Sequence, residues 1–144
     1  MQEELYNAFL ESMDDEINRY FQQYPINTIR LEVNGHEFTP LCLACLHSRV
    51  STVKLLLSLG ARVNDTCLLG EFGQGYPLHF AACSGTSDAA EKVHLLLHAR
   101  QDVNLVTKSS ESGLNVNALQ IACMSSHPVS VAIMSVLLDH EADF

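Results

Sequence analysis

Basic residues are scarce in this chain of 144 residues. It carries 8 lysines and arginines against 17 acidic residues, which gives a formal net charge of −9. The basic residues are scattered along the chain, so phosphate backbones and acidic membrane surfaces would repel it. We therefore expect neither a nucleic-acid nor a membrane partner. A basic protein or peptide is easier to accommodate.

Long apolar runs and a secretory signal are also lacking. No apolar run approaches the ~20 residues that cross a bilayer, and the acidic amino terminus has no basic region of the kind that opens a signal peptide. The five cysteines follow no regular framework, which favours free thiols in a reducing compartment. We expect a single domain, 47% apolar and able to bury a core, in the cytoplasm or the nucleus.

Motifs for catalysis or metal binding are incomplete. Cys42 and Cys45 form one CxxC, but no second Cys or His pair follows at the spacing of a zinc site. The seven histidines contain no HExxH pair, and the glycines of "GEFGQG" (70–75) lack the lysine of a phosphate loop. We predict no enzyme, no cofactor and no metal, with Cys42 and Cys45 as small core residues. A redox or metal pair is the alternative.

The chain repeats itself. Three segments share one seven-residue pattern: "TPLCLAC" (39–45), "YPLHFAA" (76–82) and "NALQIAC" (117–123). The pattern is a polar or aromatic residue, Pro or Ala, Leu, a polar residue or Cys, an apolar residue, Ala and a small residue. Each precedes an apolar block with a leucine cluster, at residues 53–64, 93–104 and 135–144. We therefore predict that each unit forms a short helix, a connector, a second helix and an extended link to the next unit.

The best-formed unit shows why its residues suit these elements. Thr39 can cap the first helix, and Pro40 suits its first turn, where a missing N–H costs nothing. Ala44 and Cys45 are small and let a neighbouring helix approach closely. Gly60 ends the second helix because it adopts a left-handed conformation at low cost. Neither helix can bury all of its apolar surface alone, so the units must stack.

This pattern resembles the ankyrin repeat, whose hallmarks are a TPLH tetrapeptide, an Ala-rich first helix, a leucine triplet and a closing Gly-Ala-Asp-Val-Asn. Residues 38–64 match it almost without gaps. The resemblance implies an all-α solenoid of stacked helix-turn-helix units with extended hairpin-like links. It also implies one ankyrin domain over residues 1–144, with approximate repeats at 1–33, 34–66, 67–106 and 107–144, the first and last degenerate. In this family the TPLH histidine, here His79, ties neighbouring repeats by hydrogen bonds.

Several features depart from the family pattern. The two later repeats hold more residues between their leucines and their first helix, which predicts an extra helical turn or a longer connector. The links 65–76 and 105–117 are long and read as extended fingers or mobile loops. Arg100 and Glu141 replace the closing glycine. Because a polar terminal cap is missing, we expect the amino-terminal part of a longer protein; the alternative is that the last helix pair forms its own cap.

The resemblance implies a protein-protein interaction module. Family members bind an extended or helical peptide on a concave face, with fingers from the links and a palm from the first helices. The predicted contact residues are Phe38, Leu46, His47, Glu71, Phe72, Tyr76, Ser84 and Met124, of which the large apolar members suggest a binding strip.

Other roles remain open for these residues. Phe72 could instead fold onto its own finger, and Leu46 and Met124 could pack between repeats. A different function is an assembly domain that pairs through its exposed last repeat.

Overall fold

The computed structural model describes residues 2–33, 35–69, 73–99, 102–108, 115–125 and 128–140. Within these ranges eight helices follow one another: α1 (Gln2–Leu10), α2 (Asp14–Gln23), α3 (Pro40–His47), α4 (Val50–Ser58), α5 (Pro77–Ala82), α6 (Ala89–His98), α7 (Ala118–Met124) and α8 (Ser130–Asp139). Four short strands lie in the links: β1 (Leu31–Val33), β2 (His36–Phe38), β3 (Cys67–Leu68) and β4 (Gln74–Gly75). None of the described helices is long and apolar enough to span a membrane.

The helices form four antiparallel pairs that stack in sequence order. The first helices α1, α3, α5 and α7 pack side by side in one row, and the second helices α2, α4, α6 and α8 form the other row. One continuous core runs between the rows. Its largest fully buried apolar side chains are Phe9, Ile17, Leu31, Leu41, Leu43, Leu56, Leu78, Phe80, Leu96, Ile133 and Leu137. The predicted solenoid of stacked helix-turn-helix units is confirmed.

Local signals set the helix boundaries. Thr39 accepts a hydrogen bond from the Cys42 N–H at 3.2 Å, and Pro40 follows as the first helical residue. Asn117 and Gln120 form a reciprocal capping box at the start of α7, with both hydrogen bonds at 2.9 Å. These side chains satisfy backbone groups that the first turn of a helix leaves without partners.

Gly60 terminates α4 as predicted. Its φ is +91°, and two hydrogen bonds close the helix end: Ala61 N–H to Leu56 O and Gly60 N–H to Leu57 O, each at 3.1 Å. This pair of bonds is the Schellman motif, which places a left-handed residue just after the helix. The corresponding residues Arg100 and Glu141 lie outside the described residues.

The extra residues of the later repeats lie in the connectors between paired helices. Residues 48–49 join α3 to α4 and residues 83–88 join α5 to α6, whereas α7 ends at Met124 and α8 begins at Ser130. None of the first helices has gained a turn. Of the two interpretations of the sequence, the longer connector is correct.

The links form short antiparallel hairpins. Strand β1 pairs with β2, from Leu31 opposite Phe38 to Val33 opposite His36, and β3 pairs with β4. Gln74 then bridges to Lys108, and Val106 bridges to Asn117. Because β2 also contacts β3, the links lie next to one another along one side of the stack.

Candidate partner-binding surface

The ends of the first helices present a row of equivalent positions. Leu46, Cys83 and Met124 each lie at the same distance along the chain from the first residue of α3, α5 and α7. Leu46 and Cys83 are half-buried, and Met124 is 56% exposed. We call these three residues, together with exposed His47 at the end of α3, the palm. Solubility favours polar residues at a surface, so the apolar residues of the palm need another explanation.

Met124 differs from the other apolar residues of its helix. Ala118, Leu119, Ile121 and Ala122 are buried in the core, whereas the Met124 side chain lies more than half in solvent. Packing between repeats therefore does not explain why a methionine occupies position 124. Methionine is flexible and adaptable, and it recurs on surfaces that bind peptides.

Phe38 and Tyr76 lie half-buried where the links meet the helices. The Phe38 ring packs edge-on against Phe80, with centroids 5.9 Å apart and planes at 77°. The Lys108 ammonium lies 5.6 Å from the Tyr76 ring centroid, within the range of a cation–π contact. Both rings are thus held by neighbouring repeats and present only part of their surface to solvent.

Ser84 does not reach the surface as the sequence suggested. It is only 1% exposed, and its hydroxyl donates to the Leu46 carbonyl at 3.0 Å. Since no partner can touch a side chain buried this far, the expected exposure of Ser84 is corrected. Glu71 and Phe72, also predicted as contacts, lie outside the described residues.

A buried lysine explains why Ser84 is held inside. The Lys92 side chain is fully buried, and its ammonium donates to the Ser48 carbonyl at 2.8 Å and to Ser84 Oγ at 3.1 Å. Burial lowers the pKa of Lys92, and the nearby Cys45 thiol and Asp88 carboxylate oppose that shift. The lysine therefore joins α6 to the ends of two first helices, directly beneath the palm.

Serine hydroxyls continue this network between successive repeats. Ser48 Oγ donates to the Phe9 carbonyl at 2.6 Å, as Ser84 does to Leu46, and both carbonyls belong to the penultimate residue of a first helix. Carbonyls in the last turn have no partner within their own helix. The second and third repeats thus each satisfy a carbonyl at the end of the preceding first helix, which fixes the part of the palm formed by α3 and α5.

His79 ties the third repeat to the next link, in agreement with the role that the resemblance implied. Its Nδ1 accepts from the Tyr76 N–H at 3.0 Å, so Nε2 carries the proton and donates to the Leu105 carbonyl at 2.9 Å. Burial lowers the pKa of His79, against the raising effect of the Leu105 carbonyl. The neutral ring is therefore part of the scaffold.

Acidic side chains dominate the first link. Glu32 and Glu37 lie directly opposite each other across β1 and β2, and both are exposed. Two like charges at opposite positions of a hairpin repel each other. A cationic group from outside the chain would relieve that repulsion.

Three of the five cysteines, Cys42, Cys45 and Cys67, are buried in the scaffold. Cys42 and Cys45 are fully buried in the core, as predicted, and burial raises the pKa of Cys45 to about 12. Cys67 is 2% exposed; hydrogen bonding from Cys42 and from the Thr39 N–H lowers its pKa to about 6 against the opposing effect of burial. Across the described ranges, no group of three or more His, Cys, Asp or Glu side chains could hold a metal ion.

Comparison with known families identifies the architecture. The family model of ankyrin repeats (3 copies) matches residues 22–107. The chain belongs to the ankyrin-repeat family. A search among curated proteins found no match.

Ankyrin repeats are in general protein-protein interaction modules and typically lack enzymatic activity. Helices α3 to α6 lie inside the matched residues, and α7 and α8 extend the same stack beyond them. Met124 therefore belongs to a helix pair that continues the ankyrin architecture.

The sequence analysis did not predict that two apolar residues of the links are exposed. Leu68 is 37% exposed next to buried Cys67, and Val106 is 45% exposed next to buried Thr107. Such alternation is the period-two pattern of a strand. That signal was present in the sequence, but it is short and easily overlooked in a link.

Proposed function

We propose that this ankyrin domain binds a partner peptide across the palm and the adjoining links, in the cytoplasm or the nucleus. The observation that carries the proposal is the 56% exposure of Met124, at the end of a row that begins with Leu46 and continues through Cys83. An apolar row on a rigid base suits an extended or helical peptide that supplies apolar anchors.

Charge supports a basic partner. The net charge of −9 steers cationic partners towards the domain. Glu32 and Glu37 offer opposed carboxylates at the first link, where an Arg or Lys of the partner would find two acceptors. The proposed ligand is therefore a peptide with apolar anchors for the palm and at least one basic residue for the first hairpin.

A matched pair of variants tests the location of the site. Met124→Asp places a charge on the palm, whereas Val131→Asp places the same charge on α8, where Val131 is 71% exposed. Because burying a methionine contributes about 1.5–3 kcal/mol, binding to Met124→Asp should weaken by roughly tenfold to a hundredfold.

The assay is affinity capture followed by titration of the captured protein. Binding that is lost by Met124→Asp and kept by Val131→Asp supports the palm. Equal binding by the wild type and Met124→Asp contradicts it. Circular dichroism of both variants checks that neither substitution at an exposed position unfolds the domain.

The exposed side of α8 favours a second candidate function, assembly with another domain or another copy. Val131 is 71% exposed and Leu138 is 43% exposed, and two helical turns separate them on one side of the helix. An apolar stripe of this kind suits the packing of a further helix pair. Sedimentation velocity over a range of concentrations tests self-association: association abolished by Val131→Asp supports it, and a monomer at every concentration contradicts it.

A further inference from the structure

Two buried cysteines from different repeats meet beside the start of α3. Cys42 lies in the first turn of α3 and Cys67 lies in β3, and the Cys42 thiol hydrogen-bonds to the Cys67 sulfur. Thr39 holds both residues in place. Its N–H donates to Cys67 Sγ at 3.1 Å, and its hydroxyl oxygen accepts the Cys42 N–H at 3.2 Å. The two thiols therefore form a fixed pair across two repeats.

This pair differs from the one that the CxxC spacing suggested. Cys45 lies three residues after Cys42 on the same helix, but its thiol interacts electrostatically with Lys92 and Cys83 of the next helix pair. The hydrogen bond of the Cys42 thiol goes to Cys67 instead. The stacking of repeats thus selects a partner that the local sequence does not show.

Cys67 is the nucleophile of the pair. Hydrogen bonds from the Cys42 thiol and the Thr39 N–H lower the pKa of Cys67 to about 6 against the opposing effect of burial, and the charge of Arg30 lowers it further. Burial and the neighbouring Cys67 sulfur raise the pKa of Cys42. At neutral pH Cys67 is therefore a thiolate, which is the reactive form of cysteine, and Cys42 is the thiol that donates to it.

We propose that hydroperoxides oxidise Cys67 and that the product is a reversible disulfide between Cys67 and Cys42, which joins β3 to α3. The Cys67 sulfur attacks one oxygen of hydrogen peroxide: an S–O bond forms, the O–O bond breaks, and the leaving hydroxide takes a proton from solvent. The Cys42 sulfur then attacks the sulfenic acid: the S–S bond forms, the S–O bond breaks, and hydroxide leaves with the Cys42 proton as water. Two thiols thus lose two electrons, and one peroxide becomes two water molecules.

The position of Cys67 favours a small oxidant. Cys67 is 2% exposed and belongs to a two-residue strand, next to Leu68, which is 37% exposed. The β3–β4 ladder pairs Cys67 with Gly75 and Leu68 with Gln74, and short ladders of this kind open locally at low cost. Hydrogen peroxide is little larger than water, so a small opening admits it and still excludes a bulky thiol reagent.

The disulfide would fix the second link against the second repeat. Helix α3 ends with Leu46 and His47 of the palm, and β3 begins the hairpin of the following link. A covalent bond between α3 and β3 would replace the hydrogen bonds that Cys67 makes with Cys42 and Thr39 as the tie between them. Oxidation would therefore hold the link in one position relative to the palm.

The test is peptide mapping of the full 144-residue chain after treatment with hydrogen peroxide at neutral pH. Remaining thiols are alkylated in denaturant, and the unreduced protein is digested with trypsin, which leaves Cys42 in residues 31–49 and Cys67 in residues 63–92. We expect these two peptides to be joined, and dithiothreitol to separate them. Because the same peptides contain Cys45 and Cys83, variants identify the pair.

The joined peptides should be lost in Cys42→Ser and in Cys67→Ser and kept in Cys45→Ser. The last variant is the matched control, because Cys45 is as buried as Cys42. Oxidised wild type should also melt about 10 °C above the reduced protein, since the disulfide closes a loop in the unfolded chain.

Three results overturn the proposal. The first is wild type in which Cys42 and Cys67 are both recovered alkylated, or in which Cys67 carries a sulfinic acid instead of a disulfide. The second is a joined pair of peptides that survives in Cys42→Ser. The third is a Tm that falls on oxidation. Mapping of the wild type needs no substitution, so the test stands even where a variant fails to fold.

Discussion

Lys92 offers the sharpest test of how the repeats are held together. Its ammonium is fully buried and makes hydrogen bonds to Ser48 O and Ser84 Oγ. Hydrogen bonds of a charged group contribute about 1.5–3 kcal/mol each, but Lys92→Met also removes the cost of burying the charge. The Ser48 carbonyl would remain buried without this donor. We expect a net loss of about 1–3 kcal/mol, which lowers Tm by about 3–10 °C in a domain of this size.

The assay is urea denaturation followed by circular dichroism, with Lys92→Ala beside Lys92→Met. The alanine variant should lose more stability, because it adds an unfilled cavity to the same lost hydrogen bonds. A Lys92→Met variant as stable as wild type would refute the claim that the lysine ties the repeats together.

The pH dependence gives an independent check on Lys92. The pKa of Lys92 is lowered from 10.5 by burial in the folded state, so the unfolded chain binds more protons between the folded pKa and 10.5. Within that window the stability of the wild type should rise with pH relative to Lys92→Met. A stability difference between the two proteins that stays constant up to pH 10.5 would contradict a buried, strained charge.

Three further predictions address the scaffold. Because the pKa of His79 in the folded state lies below 6.5, its contribution to stability is complete above pH 6.5 and is lost as the pH falls through the folded pKa. His79→Gln should therefore make the stability less dependent on pH on the acid side. An unchanged slope would show that another group causes the pH dependence. Gly60→Ala should lower the free energy of unfolding by about 1–2 kcal/mol in urea denaturation, because Gly60 has a φ of +91°. No atom lies within 4 Å of the added Cβ, so the cost comes from the backbone conformation and not from a steric clash. Exposed Cys123 should react with a thiol reagent in the native protein, whereas buried Cys42, Cys45 and Cys67 should react only after unfolding; fast native reaction of Cys67 would show that its low pKa outweighs its burial.

The sequence predicted the fold because its signals are local and repeated. The Thr39 cap, the small residues Ala44 and Cys45, and the Gly60 terminator each act within one repeat, and the structure places each in its expected role. The His79 tie followed from the family resemblance. The cap, the small residues and the terminator do not depend on how neighbouring repeats are oriented.

The binding surface was harder to predict because exposure depends on contacts between repeats. Ser84 and Met124 both lie near the ends of first helices, yet Ser84 is buried and Met124 is exposed. Ser84 is held inside by hydrogen bonds with the Leu46 carbonyl and the Lys92 ammonium, both from other helices. A lysine is almost never fully buried, so no sequence rule would place this one in the core.

The hydrogen bond between His94 and His140 shows the same limit. The spacing of His94 and His98 is visible in the sequence, but the approach of His140 depends on the packing of α6 against α8. Residues from different repeats meet only after the stack has formed.

Site-specific photocrosslinking tests the central claim most directly. A photoreactive amino acid would replace Met124 on the palm in one protein and Val131 on α8 in a second, both at exposed positions of the last helix pair. We predict that irradiation joins the partner to position 124 and not to position 131. Crosslinks at position 131 alone would contradict the palm as the binding surface and place the interaction on the outer side of α8.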